Sequence, residues 1–167
     1  MKEIKLMIDG KEVQLTDEQL KALGIEIEEK RKNPFERVAE GKTYYRIDRD
    51  GKVDNFCEHG YSTDDALKMV NNYFNDESFA SQVALRHLLY RKLLEFAYEN
   101  DGEDVKEWDG SNERWTIRYG SNLNKFFAYS QERYKAPDVY FSSKEATERA
   151  INEVVEPFME EHPDFIW

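Results

Sequence analysis

Hydrophobic positions in this chain alternate at the period of a strand and then recur at the period of a helix, and the whole sequence of events happens twice. From Thr43, TYYRIDRDGKVDNFC runs through two short apolar stretches on either side of Asp50-Gly51. A Gly there supplies the positive φ that a tight turn needs, so the stretch predicts a β-hairpin. From Trp115, WTIRYGSNLNKFFAY predicts a second hairpin turning through Gly120-Ser121-Asn122. Each hairpin is followed by a Tyr-Phe pair, then by a small or acidic residue fit to cap a helix, then by a helix. The two stretches are NYFNDESFASQVALRHLL and VYFSSKEATERAINEVV. Thr43 to Leu93 and Trp115 to Val155 therefore read as two copies of one ββα-like unit.

The first copy has an extra short helix, from Asp64 to Val70, which Asn71-Asn72 breaks. Its main helix is predicted from Asp76 to Glu99. On a helical wheel Phe79, Val83, Tyr90, Leu93, Leu94 and Ala97 share one face, and Leu85, Leu89 and Phe96 form a second. An apolar arc that wide needs neighbours on two sides, which makes this the central helix. Arg86 falls inside the arc, as an ion-paired or snorkelling arginine at a core edge or, alternatively, as an interface arginine. In the second copy a short strand is expected over Val139–Phe141, with Ser142 or Ser143 as the cap. Ala146, Ala150, Ile151 and Val154 should be buried, Pro157 should break or kink the helix, and Glu156 to Asp164 read as an acidic tail.

Upstream, IKLMIDGKEVQL predicts a hairpin at Asp9-Gly10. A short helix follows, with Thr16 and Gln19 at capping-box spacing and Gly24 as its stop. Residues 25–42, of mixed charge and containing Asn33-Pro34, read as a linker. The expectation is an α+β protein of two strand-hairpin-plus-helix units around a long central helix, led by a small N-terminal hairpin-helix. Residues 1–32 form the N-terminal piece and linker, and residues 33–167 the main domain. Tyr44, Phe56, Tyr73, Trp115, Phe127, Tyr140 and Phe141 should provide core or sheet-face contacts.

Composition sharpens this picture mainly through charge. The 167 residues are 40% hydrophobic and 14% aromatic, enough for a packed core, with a formal net charge of −11. The excess is uneven: residues 1–40 and 41–100 each carry 8 basic and 10 acidic side chains, whereas residues 101–167 carry 8 and 15. Such a chain is a poor direct ligand for DNA or RNA, whose affinity rests on Lys and Arg displacing counterions, and its electrostatic complement is a basic protein surface. Cys57 is the only cysteine, so no intramolecular disulfide forms and a reducing cytosol is the expected compartment. No signal-like or membrane-spanning apolar run is present, so no membrane association is expected.

The chemistry-bearing residues are sparse. Gly41-Lys42-Thr43 matches the end of a phosphate-binding loop, but Glu36 stands where the first glycine belongs. Cys57 and His59 are two potential ligands where a zinc site takes three or four, so a buried thiol beside a loop histidine is the simpler reading. No catalytic residue, metal or cofactor is predicted. The specific feature is a cluster of carboxylates, Asp101, Glu103, Asp104, Glu107, Asp109 and Glu113, around Trp108 in one loop. An acidic loop holding an exposed aromatic suits docking to a basic groove, although any one such cluster also serves plain solubility. Glu153, Glu156, Glu160, Glu161 and Asp164 form a second cluster.

The segments TYYRIDRDGKV, NYFNDESFASQVALRHLLYRKLLEFAYEND and DVYFSSKEATERAI resemble a group of small proteins of phages and prophages of Gram-positive bacteria. In that group an aromatic hairpin precedes an F-x-T/S-x-E-E-A-like helix start and the arrangement recurs near the C-terminus. The DGK hairpin followed by TDEQLKALG is similar to their N-terminus. The first helix start departs from the pattern, with NDESFA where an acidic pair before alanine is common. The resemblance carries no catalytic motif. It implies an anti-CRISPR role, in which a small acidic phage protein inhibits a type II CRISPR effector nuclease or its guide-RNA complex. The alternatives are a metal-dependent hydrolase or nuclease built on clustered carboxylates, or a structural or assembly protein of the phage particle. The sequence leaves self-association as a homo-oligomer open.

Overall fold

Each hairpin of the main body forms and then gains a third backbone partner from the Tyr-Phe pair that follows it. The computed structural model describes residues 6–8, 11–13, 33–101, 112–131 and 136–167. The chain divides into two compact units, Met1–Asn33 and Pro34–Trp167. In the first, β1 (Leu6–Ile8) and β2 (Lys11–Val13) pair antiparallel with Ile8 opposite Lys11. The short helix predicted from Thr16 to Gly24 lies outside the described residues.

In the second unit, β3 (Thr43–Ile47) and β4 (Val53–Cys57) form one antiparallel pair, and β5 (Arg114–Gly120) and β6 (Lys125–Gln131) another. The β3–β4 turn is shaped by Asp48, whose carboxylate accepts from the N–H groups of Asp50 and Lys52, and by Gly51 at φ +82°. Tyr45 and Phe74 exchange both backbone hydrogen bonds, at 2.7 and 2.8 Å. Trp115 and Phe141 do the same at 3.0 and 2.8 Å. The duplication legible in the sequence is thus a duplication of backbone pairing. In the first copy Asn72 extends the third strand with its side chain, whose amide donates to Ile47 O and accepts from Ile47 N–H. Asn71 makes the preceding corner at φ 53°. In the second copy the predicted strand Val139–Phe141 reduces to the single bridge at Phe141.

The helices begin where side chains cap them. After α1 (Ser62–Met69), α2 runs Glu77–Asp101, opened by Asp76 accepting from Phe79 N–H at 2.8 Å. α3 (Lys144–Ala150) is opened by Ser143, which accepts from Ala146 N–H at 3.1 Å. α2 packs against β3 and β4 on one side and against α3 and the turn after it on another, as its wide apolar arc requires. Tyr90, placed on the apolar face by the wheel, is 46% exposed. Its phenol sits at the edge of the arc, where a polar tip can stay in water.

The main correction lies after α3. The chain does not break at Pro157; residues Ile151–Val155 widen into a π-helical turn, and α4 (Glu156–Glu161) continues beyond it. Glu156 N–H reaches back to Ile151 O, and Pro157, which has no N–H to offer, falls in the first turn of α4 where none is needed. The extra residue shifts the buried edge by one position, so Val155 is fully buried where Val154 was expected. The acidic stretch Glu156–Asp164 is accordingly no tail. Phe158 and Phe165 pack edge to face at 5.5 Å within a core shared with Leu93, Phe96, Phe141 and Ala150. Residues 34–42 likewise pack on the body instead of linking: Phe35 rests on Phe74 and Phe79, with ring centroids 5.3 and 5.4 Å apart.

Candidate functional site

Three polar features of the second unit are candidates for function, and the first is a closed clasp. Glu58, 2% exposed, accepts from Arg37 Nε at 2.9 Å, Arg37 Nη2 at 3.1 Å, Tyr73 Oη at 2.7 Å and Gly60 N–H at 2.6 Å. Arg37 also donates to Asp65 at 2.7 Å. Asp64, 4% exposed, accepts from Tyr44 Oη and from the N–H groups of Tyr61 and His59. The Tyr44 and Tyr73 rings stack between these carboxylates at 4.1 Å.

Electrostatics follow from the contacts. Arg37, with Tyr73 and Gly60 behind it, holds the Glu58 carboxyl below its ordinary range against the opposing effect of burial. For Asp64 burial pushes upward, but the hydrogen bonds from Tyr44, Tyr61 and His59 outweigh it and the net shift is downward. Burial, reinforced by the carboxylate each phenol faces, pushes Tyr44 and Tyr73 up to about 12. The hydrogen bonds to Glu58 and then to Asp65 raise Arg37 further above its ordinary value. Both carboxylates are saturated by donors, so neither is poised to take a proton from a substrate. The cluster ties segment 34–42, the β4–α1 loop and α1 together.

The second feature is acidic. A groove of ≈ 230 Å³ between α2 and α4 is lined by Glu95, Glu99, Glu153 and Glu161, with Lys92 as the one cation of the lining and Phe96 and Pro157 on its floor. Arg149 pairs with Glu153 at 3.1 Å and donates to Asn100 at 2.8 Å, fixing this end of α2 against α3. The predicted binding loop leaves from here. Asp101 is the last residue of α2, and Glu113, exposed, precedes β5. Glu103, Asp104, Glu107, Trp108 and Asp109 lie outside the described residues. The sequence identified this loop and the cluster holding Glu153 and Glu161 as separate features, and the fold brings those two glutamates beside Glu95 and Glu99 of α2.

The third is a cleft of ≈ 320 Å³ beside α2, β5 and the segment 136–141. Its floor is apolar, from residues such as Leu89, Ile117 and Val139, and its rim carries Tyr90, Trp167, Arg86 and Arg118. Arg86 lines this cleft beside Leu89 and Leu93, at an edge of the core as the wheel implied. It is exposed and donates to the Ile166 carbonyl at 2.9 Å. Gln82 grips the same segment through Asp164 O and Ile166 N–H.

Of the other candidates, Cys57 is exposed instead of buried, since β4 turns its side chain outward, and His59 is exposed beside it. Thr43 opens β3 directly, so Gly41-Lys42-Thr43 does not lead into a helix as a phosphate loop would. Among the described residues no three His, Cys, Asp or Glu side chains gather as metal ligands, and no helix is long and apolar enough to cross a membrane. Comparison with known proteins finds no matching family, no similar curated protein and no similar solved structure.

Proposed function

We propose that this chain is a non-enzymatic anti-defence protein of phage origin that binds a host nucleic-acid-targeting nuclease, the type II CRISPR effector, by its basic nucleic-acid groove. The observation that carries this reading is the concentration of carboxylates after residue 100, where 15 acidic side chains face 8 basic ones. The α2–α4 groove adds Glu95 and Glu99 to that set, beside the point where the loop Asp101–Glu113 departs. Its apolar floor suits the aliphatic stem of an incoming Lys or Arg while the carboxylates meet the charged head. The resemblance to phage proteins supports the choice of a CRISPR effector among basic-grooved nucleases.

In this mechanism the carboxylates act at two ranges. At a distance they steer the protein toward the Lys/Arg-lined channel and raise the association rate, and on contact they occupy the positions of nucleic-acid phosphates. Trp108 supplies apolar anchoring within the loop. Replacing Asp101, Glu103, Asp104, Glu107 and Asp109 with Asn or Gln tests the reading. Binding to the purified effector and inhibition of its DNA cleavage should weaken at least tenfold, with thermal stability preserved. A variant that inhibits as well as its parent would show that the loop is not the contact, and a parent that neither binds nor inhibits would overturn the function.

A further inference from the structure

We infer that β6 is a dimerisation edge, to which a second molecule of this chain adds its own β6 antiparallel. Backbone geometry comes first. Trp115 uses both its backbone groups on Phe141, so its cross-strand neighbour Ser130 does not bond β5. Bonded and non-bonded pairs alternate along an antiparallel ladder. Lys125, Phe127, Tyr129 and Gln131 therefore bond β5, and Phe126, Ala128 and Ser130 aim their N–H and C=O groups away from it. Among the described residues these outward groups have no backbone partner. The strand also lacks the features that protect an edge. It is seven residues long, pairs with β5 without a bulge, holds no proline, and is charged only at Lys125.

That the occupant is a second molecule of this chain follows from self-complementarity. A two-fold axis at Ala128 sets Ala128 opposite itself and Phe126 opposite Ser130, which satisfies every outward backbone group of both strands at once. The same register places Phe127 against Tyr129 at non-bonded positions, where cross-strand side chains lie closest, and Tyr129 is 45% exposed in the single chain. It also places Lys125 against Gln131. Among the described residues Gln131 Oε1 is one of two buried side-chain polar atoms without a hydrogen-bond partner, and Lys125 is exposed with an ammonium to donate. Charge selects this edge over its counterpart. Residues 114–131 hold the cations Arg114, Arg118 and Lys125 and no carboxylate, in a chain of formal net charge −11. β4, the matching edge of the first hairpin, carries Asp54 in one cleft lining with Asp48 and Asp50, so a two-fold there would bring carboxylates together. This inference does not depend on the proposed nuclease partner.

Sedimentation equilibrium of the full chain over a wide concentration range should show a reversible monomer–dimer equilibrium. Added salt should tighten it, because it screens the repulsion between two negative molecules. Amide hydrogen exchange locates the interface: at dimer-forming concentration the amides of Phe126, Ala128 and Ser130 should exchange about tenfold or more slower than in dilute protein. Ala128→Pro removes an N–H that points away from β5, a change an edge strand tolerates, and should abolish the dimer. Lys125→Glu is the companion variant in case the proline disturbs the hairpin. It sets a carboxylate against Gln131 Oε1 at an exposed position and should weaken association about tenfold. A chain that stays monomeric throughout, a dimer in which those three amides exchange as in dilute protein, or parental association in both variants would each overturn the proposal.

Discussion

Glu58 shows how much a single residue organises here. It gathers Arg37, Tyr73 and Gly60, and its neighbour Asp64 gathers Tyr44, Tyr61 and His59. Both carboxyls titrate below their ordinary values in the folded chain, so the stability they contribute is present above about pH 4–5 and is lost as pH falls through the folded values. Tyr44 and Tyr73 are raised from 10.0 to about 12, so their contribution is complete below pH 10 and fades as pH rises toward about 12. Denaturant melts across pH should give a plateau between these limits, and Glu58→Gln should flatten the acid limb. Absorbance titration should find two phenols ionising near 12, which Tyr44→Phe and Tyr73→Phe remove one at a time. Tyr73→Phe also strips one donor from a buried carboxylate and should cost ~1–3 kcal/mol. None of this was legible in the sequence. Arg37 stood in a charge run that reads as a linker, and only the fold brings Glu58 and Asp65 to it.

Among the elements, the π-helical turn has the largest consequence. The periodicity of Ala146, Ala150 and Ile151 was readable because those residues precede the extra residue, and the buried partner then moves from Val154 to Val155. Pro157 marked the disturbance but not its form: a proline can end a helix or sit at a fresh start, and the buried Phe158 and Phe165 decide for the second. Deleting Asn152 would remove the extra residue and restore regular winding while keeping Phe158 on the face that meets Phe165. The deletion should therefore cost well below the ~3–5 kcal/mol expected for Phe158→Ala at a buried Phe. A deletion variant as destabilised as Phe158→Ala would mean that the turn is not a one-residue insertion in an otherwise continuous helix. By contrast the two hairpins, the caps and the central helix were legible, since turn residues, cap residues and periodicity agree locally at each. Ser143→Ala should cost ~1 kcal/mol in chemical denaturation, since it removes the acceptor for Ala146 N–H.

For the whole molecule the governing quantity is the placement of its negative charge. The acidic loop could be read directly, because six carboxylates around Trp108 are contiguous in sequence. The groove that joins it could not, because Glu95 and Glu161 meet only when α4 docks along α2. If the carboxylates bind a basic groove, loop and groove should act together and the interaction should weaken as salt screens it. The most direct test is the equilibrium affinity for the purified type II effector against salt concentration, for the parent and for Glu95→Gln/Glu99→Gln/Glu153→Gln/Glu161→Gln. The parent should bind tightly at low salt, with a steep log–log decline, and the fourfold variant should bind more weakly with a shallower slope. Parallel lines of equal affinity for parent and variant, or no binding by the parent at any salt, would contradict the account.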